Sequence, residues 1–171
     1  MTLSEFKKFL AICRMGRVEG DAPSSYVLAQ SGAPVTVSGT VAQTTLASVI
    51  VPAGRLSEHG VLRITALWSF SYSANAKRIF ISFGGQTLLG TNQSAAQAAS
   101  LQTIQIVRNR GVLDRQVSTA TGNAGIGVSQ GASTTLSVDT SHDATIEFSA
   151  SLADPSDFVT FEGYSVEVMN P

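Results

Sequence analysis

The sequence predicts an all-β chain, an antiparallel sandwich or barrel preceded by one short helix. Three observations carry this reading. Apolar and polar residues alternate through most of the chain from residue 35 onward, which is the period of a half-buried strand. Gly, Asn, Ser and Asp punctuate that alternation at short intervals, and no second segment shows helical spacing. At 171 residues the chain can bury one core without disulfides or a structural metal, so one sandwich domain is expected over residues 39–171, after an arm and linker over residues 1–38.

The elements follow in order. Thr2-Leu3-Ser4-Glu5 has capping-box spacing, in which a hydroxyl caps the first backbone N–H groups and the Glu reaches back. Phe6, Phe9, Leu10 and Cys13 then recur at helical spacing with Ile12 beside them, so an amphipathic helix is expected over residues 3–15. Gly16 and Gly20 end it, and "GDAPSSYVLAQSGAP" at 20–34 reads as turn-rich linker. A helix this short is marginal alone, so its apolar stripe needs a surface. That surface is either its own domain or a neighbouring subunit. In the second case Phe6, Phe9, Leu10 and Ile12, with the basic Lys7, Lys8 and Arg14, form a docking arm.

Thr36 to Val51 reads as one or two strands closed by "PAG" at 52–54. Residues 61–73 form the most regular strand: Leu62, Ile64, Ala66, Trp68, Phe70 and Tyr72 share one face, and Arg63, Thr65, Ser69, Ser71 and Ser73 the other. Arg78 to Phe83 follows, and Gly84-Gly85 is a two-residue hairpin signal into Thr87-Leu88-Leu89. Further strands are expected at 101–108, 112–118, 134–139 and 144–150. In "FVTFEGYSVEVM" the apolar phase slips by one residue at Gly163, as a β-bulge requires. The segments 91–100 and 119–133 are too polar or glycine-rich for core and read as exposed loops.

Charged residues make up 13% of the chain, about half the usual share of roughly 25%. Hydroxyls replace them, since Ser and Thr together number 38. Such a surface has little repulsion between copies and little side-chain entropy to lose on contact, which suits a protein that lives in an assembly as well as it suits a Ser/Thr-rich soluble β-domain. The net charge of −1 is unevenly spread: Lys7, Lys8, Arg14 and Arg17 lie near the start, no Lys or Arg follows Arg115, and seven acids do. A basic end meeting an acidic partner, including another copy, is one consequence. Nucleic acid is not an expected partner, because the aromatics occupy core-facing positions rather than a basic stripe. One cysteine, Cys13, excludes an internal disulfide and a Cys-based zinc site and fits synthesis in a reducing cytoplasm. No run approaches the ~18 apolar residues of a membrane helix, and the start does not read as a signal peptide.

No catalytic chemistry is expected. Gly127-Val128-Ser129-Gln130-Gly131 matches the G-x-S-x-G elbow, but that motif needs a strand-to-helix turn and residues 133–139 read as another strand. Ser141-His142-Asp143 looks like a triad written in a row, yet neighbouring side chains diverge. His59 and His142 lack a third imidazole or thiolate for a metal. Asp139 with Asp143, and Asp154 with Asp157, lack the alternating spacing of a calcium loop and read as turn residues. "GNAGIG" at 122–127 has no strand-then-helix context for a dinucleotide. The expectation is a binding protein with no cofactor, no metal and no catalytic residues.

"VPAGRLSEHGVLRITALWSFSYSANAKRIFISFGG" at 51–85, "IQIVRNRG" at 104–111 and "FEGYSVEV" at 161–168 together resemble β-sandwich modules of tailed-bacteriophage virion proteins. In that family a "PAG…G.LR…W" opening, an "N.K" turn and an "RNRG" strand end recur in head, tail and fibre appendages. The resemblance covers about residues 39–170 and leaves the N-terminal helix outside. It implies a jelly-roll-like sandwich, commonly a homotrimer, that acts by binding other virion proteins after synthesis in the bacterial host cytoplasm. A capsid decoration or cement protein that binds the major capsid protein is the first expectation. A tail, fibre-tip or neck appendage, with loops 91–100 and 119–133 touching a receptor or glycan, is the alternative. Arg63, Arg108, Arg110 and Arg115 are candidates for inter-subunit ion pairs with the acids of the C-terminal third; the competing reading is a solvated strand face.

Overall fold

A computed structural model describes residues 24–93, 99–122 and 131–171. These residues form two antiparallel sheets and contain no helix. The expected helix at 3–15 lies outside the described residues. The larger sheet contains β1 (Ser25–Ser31), β2 (Val35–Ser38), β4 (Val61–Phe70), β7 (Ser100–Asn109), β8 (Gln116–Ser118), β9 (Thr134–Leu136) and β11 (Phe158–Met169). Its order is β1-β11-β4-β7-β8-β9, with β2 also paired to β11. The smaller sheet has the order β3-β10-β5-β6, from β3 (Thr44–Val51), β5 (Lys77–Phe83), β6 (Gln86–Gln93) and β10 (Ala144–Leu152).

The pairing is nested. With the short β2, β8 and β9 set aside, the first long strand pairs with the last (β1 with β11), the second with the second-last (β3 with β10), then β4 with β7 and β5 with β6. A chain wound in this way brings its most distant strands together at one edge, and every inner face meets an inner face of the other sheet.

The strand that carries the tryptophan shows why. Leu62, Ile64, Ala66, Trp68 and Phe70 of β4 are all buried, alternating with Arg63, Thr65, Leu67 and Ser69 on the outer face. Trp68 packs at 4.6 Å between ring centroids against Phe161 of β11, and Phe148 of the opposite sheet lies 4.8 Å from Phe161. Its indole N–H donates to Thr103 Oγ1 at 3.2 Å, so the one polar atom of the ring is satisfied inside the core. Burial of each such ring contributes about 1.5–3 kcal/mol. Tyr72 was expected on this face, but β4 ends at Phe70 and Tyr72 is 74% exposed in the turn beyond it.

Two local expectations hold. Gly84 and Gly85 have φ of +53° and +76°, the left-handed pair of a two-residue hairpin, and Phe83 pairs with Gln86 across it. At Gly163 the β11–β4 register shifts between Phe161 and Gly163. A Cβ on Gly163 would lie 2.5 Å from the Ser31 carbonyl oxygen, so the bulge needs glycine because β1 crosses there. The break between β1 and β2, at 32–34, sits opposite that bulge.

Two readings are corrected. The stretch read as linker, 20–34, supplies β1, and β1 and β2 both precede residue 39 yet belong to the sandwich; Tyr26 and Leu28 pack on its core. The apolar residues of "SSYVLAQS" are too few to display a clear period alone, and pairing with β11 decides their structure. The strand expected at 112–118 shortens to Gln116–Ser118, because residues 111–114 turn the chain.

Candidate functional site

The quoted sequence blocks meet in two buried polar clusters, one at each loop system. "PAG" and "RNRG" converge on the first. Asn109, Gln116 and Thr140 are all buried. Asn109 Nδ2 donates to the Ser57 carbonyl at 2.8 Å and to Thr140 Oγ1 at 3.3 Å. Gln116 Nε2 donates to Asn109 Oδ1 at 2.9 Å and to the Val138 carbonyl at 2.9 Å, and Gln116 Oε1 accepts from the Val138 N–H at 3.0 Å. Thr140 Oγ1 donates to the Leu113 carbonyl, and the Gly54 N–H to the Thr140 carbonyl. Three loops, β3–β4, β7–β8 and β9–β10, are thereby tied without any charge.

The second cluster explains the "N.K" turn. Lys77 begins β5 at the same parity as Ile79, Ile81 and Phe83, so its side chain points inward and is 1% exposed. Its ammonium donates to the Ser73 carbonyl (2.9 Å), Ser73 Oγ (2.8 Å) and the Asn75 carbonyl (3.0 Å), which matches three acceptors to three N–H groups. Ser73 Oγ in turn donates to Asp157, which also accepts from Ser71 Oγ and Asn75 Nδ2. These bonds, Ser71 and Ser73 first, with Lys77 adding a Coulombic pull, hold the Asp157 carboxyl below the ordinary carboxylate value. Asp157 is therefore committed to a turn with Ser71, Ser73 and Asn75, and Asp154 to capping Ser156, which lowers its pKa as well.

The row Ser141-His142-Asp143 does not act as one unit. Asp143 accepts from the Ala53 N–H, while Ser141 Oγ and His142 Nδ1 turn back to Asp139 at 2.6 and 3.1 Å. A relay needs the carboxylate on one imidazole nitrogen and the hydroxyl on the other. Here both contact Nδ1, and the Ser proton goes to the carboxylate. The bonds from Ser141, then His142, lower the Asp139 pKa, as in a capped exposed turn. Ser129 lies outside the described residues. Among the described residues no group of three or more His, Cys, Asp or Glu is placed to hold a metal ion.

The proposed partner-binding residues separate. Phe6, Lys7, Lys8, Phe9, Leu10, Ile12 and Arg14 lie outside the described residues. Arg63 faces outward and pairs with Glu167 of its own chain at 3.1 Å, directly across the β4–β11 register. Arg108, Arg110 and Arg115 are exposed, and none has an acid within ion-pair distance among the described residues. Arg110 and Arg115 stand together: the Arg110 N–H bonds the Arg115 carbonyl across the β7–β8 turn, and both side chains line a 580 Å³ cleft. Gln116, Val117, Ser133, Thr135, Leu136 and Ser137 complete its wall. Sequence reasoning missed Lys77, Gln116 and the hydroxyls of β9. The signals were present: a lysine at inward parity, and Ser133, Thr135 and Ser137 alternating with Thr134, Leu136 and Val138.

No family model matches the sequence, and no curated protein matches it. Solved structures to which the chain is similar include the T13 particle of infectious bursal disease virus, at 9% identity and TM-score 0.40 over 85% of this chain and 30% of that one. The VP2 subviral particle of the same virus matches at 12% identity and TM-score 0.38 over 85% and 32%. Dimeric latent PorU from Porphyromonas gingivalis matches at 9% and 0.41 over 88% and 14%. The chain spans about a third or less of each.

Proposed function

We propose that this chain is a virion structural protein that works by binding, in the first instance a homotrimeric capsid decoration or cement protein of a tailed bacteriophage. The observation that carries the reading is where the phage-like sequence blocks fall in the nested sandwich. "PAG", "N.K" and "RNRG" close loops through hydrogen bonds to Thr140, Lys77 and Gln116, and "FEGYSVEV" carries the bulge that admits β1. Strand pairing of this nested kind is the winding of a jelly roll, the architecture the resemblance implies. The basic arm, Phe6 to Arg14, is the part proposed to dock on the shell, with no nucleic acid or membrane as partner.

The test is the molar mass of the purified protein by light scattering, with and without residues 1–20, followed by addition to capsids that lack it. A trimer that survives truncation, and full-length protein that decorates capsids while the truncated form does not, is the expected result. A monomer in both forms that leaves capsids bare overturns it. Esterase or glycosidase activity lost on Ser129→Ala would overturn the non-catalytic part of the reading.

A second reading, a tail, fibre-tip or neck appendage, is favoured by one feature. Ser133, the last residue of the segment expected to be a receptor-contacting loop, lines the Arg110–Arg115 cleft. Exchange of that segment with infection unchanged counts against it.

A further inference from the structure

The β7–β8–β9 end of the larger sheet brings together features that shell binding does not use. Arg110 and Arg115 flank the turn between β7 and β8, and their backbones are joined by the Arg110 N–H to Arg115 carbonyl bond at 3.0 Å. Hydrogen bonds hold that turn: the Gly111 N–H to the Glu58 carbonyl, and the buried Gln116 to Asn109, Leu113 and Val138. The two guanidinium groups therefore project from a fixed base, although Asp114 between them and Glu58 beneath them make no ion pair with either.

Across the cleft, β9 and its flanks present Ser133, Thr135 and Ser137, all exposed, on successive outward positions, each about 7 Å from the next. The Ser137 hydroxyl also accepts from Gln86 Nε2 at 3.3 Å. Val117 and Leu136 supply a short apolar floor. At 580 Å³ the cleft has the size of a small-ligand site.

We propose that this cleft binds an acidic saccharide, with the Arg110 and Arg115 guanidinium groups on its carboxylate or sulfate and the hydroxyls of Ser133 and Thr135 on its sugar hydroxyls. Two planar forks fit a planar carboxylate or a sulfate edge bidentately. A row of neutral hydroxyls opposite them fits a polyhydroxylated ligand better than a second carboxylate. Recession into a cleft also separates this site from Arg63, whose charge is already matched across the sheet by Glu167. The inference goes beyond the virion role and stands without it, since saccharide binding does not depend on whether the protein decorates capsids.

The experiment is isothermal titration of full-length protein at low and at 150 mM salt with three probes: a heparin-derived sulfated decasaccharide, a uronic-acid oligosaccharide and a neutral dextran oligomer. The proposal expects an acidic probe to bind and dextran not to. Binding of the sulfated probe alone assigns sulfate as the acid, and of the uronate alone carboxylate. Arg110→Ala/Arg115→Ala, shown by circular dichroism to melt as the parent does, should weaken binding at least tenfold. Arg78→Ala should change it less than twofold, because Arg78 is exposed on the smaller sheet, away from the cleft.

No binding of either acidic probe overturns the proposal. So does an equal loss in Arg78→Ala, which means diffuse charge attraction. A light-scattering mass that falls to monomer in the double variant, with no saccharide binding in the parent, assigns the cleft to carboxylates of a second copy instead.

Discussion

The two buried polar clusters tie loops in opposite ways. Asn109–Gln116–Thr140 holds the "PAG" and "RNRG" loops with neutral amide, hydroxyl and carbonyl groups, whereas Lys77–Ser73–Asp157 holds the "N.K" turn with a buried cation and a carboxylate joined through a serine. The side-chain amides of Asn109 and Gln116, the Thr140 hydroxyl and the Lys77 ammonium all find partners, which is the condition for a polar interior. The neutral cluster is indifferent to pH, and the ionic one is not. The end that must hold still beneath the Arg110–Arg115 cleft uses the pH-independent solution.

That contrast breaks most sharply at Lys77. Lys77→Met strands two carbonyl acceptors and a buried carboxylate network without its cation, and should cost about 3–5 kcal/mol in urea unfolding at pH 7. Gln116→Leu strands Asn109 Oδ1, the Val138 carbonyl and the Val138 N–H, and should cost about 2–3 kcal/mol. The Gln116→Leu loss should be the same at pH 7 and pH 3; a loss that changes with pH would show the cluster to be coupled to an ionised group.

Asp157→Asn sharpens the comparison through its pH dependence. The folded pKa of Asp157 is depressed below 3.8, so the stability it contributes is present above about pH 4 and disappears as pH falls through the folded value. The parent should lose stability on acidification faster than Asp157→Asn, and their melting curves should converge below the folded pKa. Parallel curves from pH 7 to pH 2.5 would remove the ionic account of this turn. The smallest effect belongs to the exposed sheet: Arg63→Ala should cost about 0.5 kcal/mol or less, and the loss should shrink in 0.5 M salt, since the Arg63–Glu167 pair is largely in water.

Much of the sandwich was legible from local pattern. The burial of β4 on alternate residues, the left-handed Gly84-Gly85 turn and the bulge at Gly163 each depend on a few neighbouring residues, and a strand's period of two is written in its own side chains. The site was less legible. Arg63 and Arg110 look alike in the sequence, a basic residue within or beside a strand, but one faces Glu167 across a register and the other faces a cleft. Asp157 reads as a turn residue and Lys77 as part of the "N.K" turn, because nothing near either in sequence reveals the other.

The sequence by itself determined the class of the fold, the buried face of its clearest strands, and the glycines its turns demand. Tertiary structure decided that "SSYVLAQS" is a strand, which two arginines share a cleft, and which polar side chains are buried. The physical reason is range: alternation and turn chemistry act over a few residues, whereas Ser25 meets Met169 and Asn109 meets Thr140 only after the winding brings distant strands together.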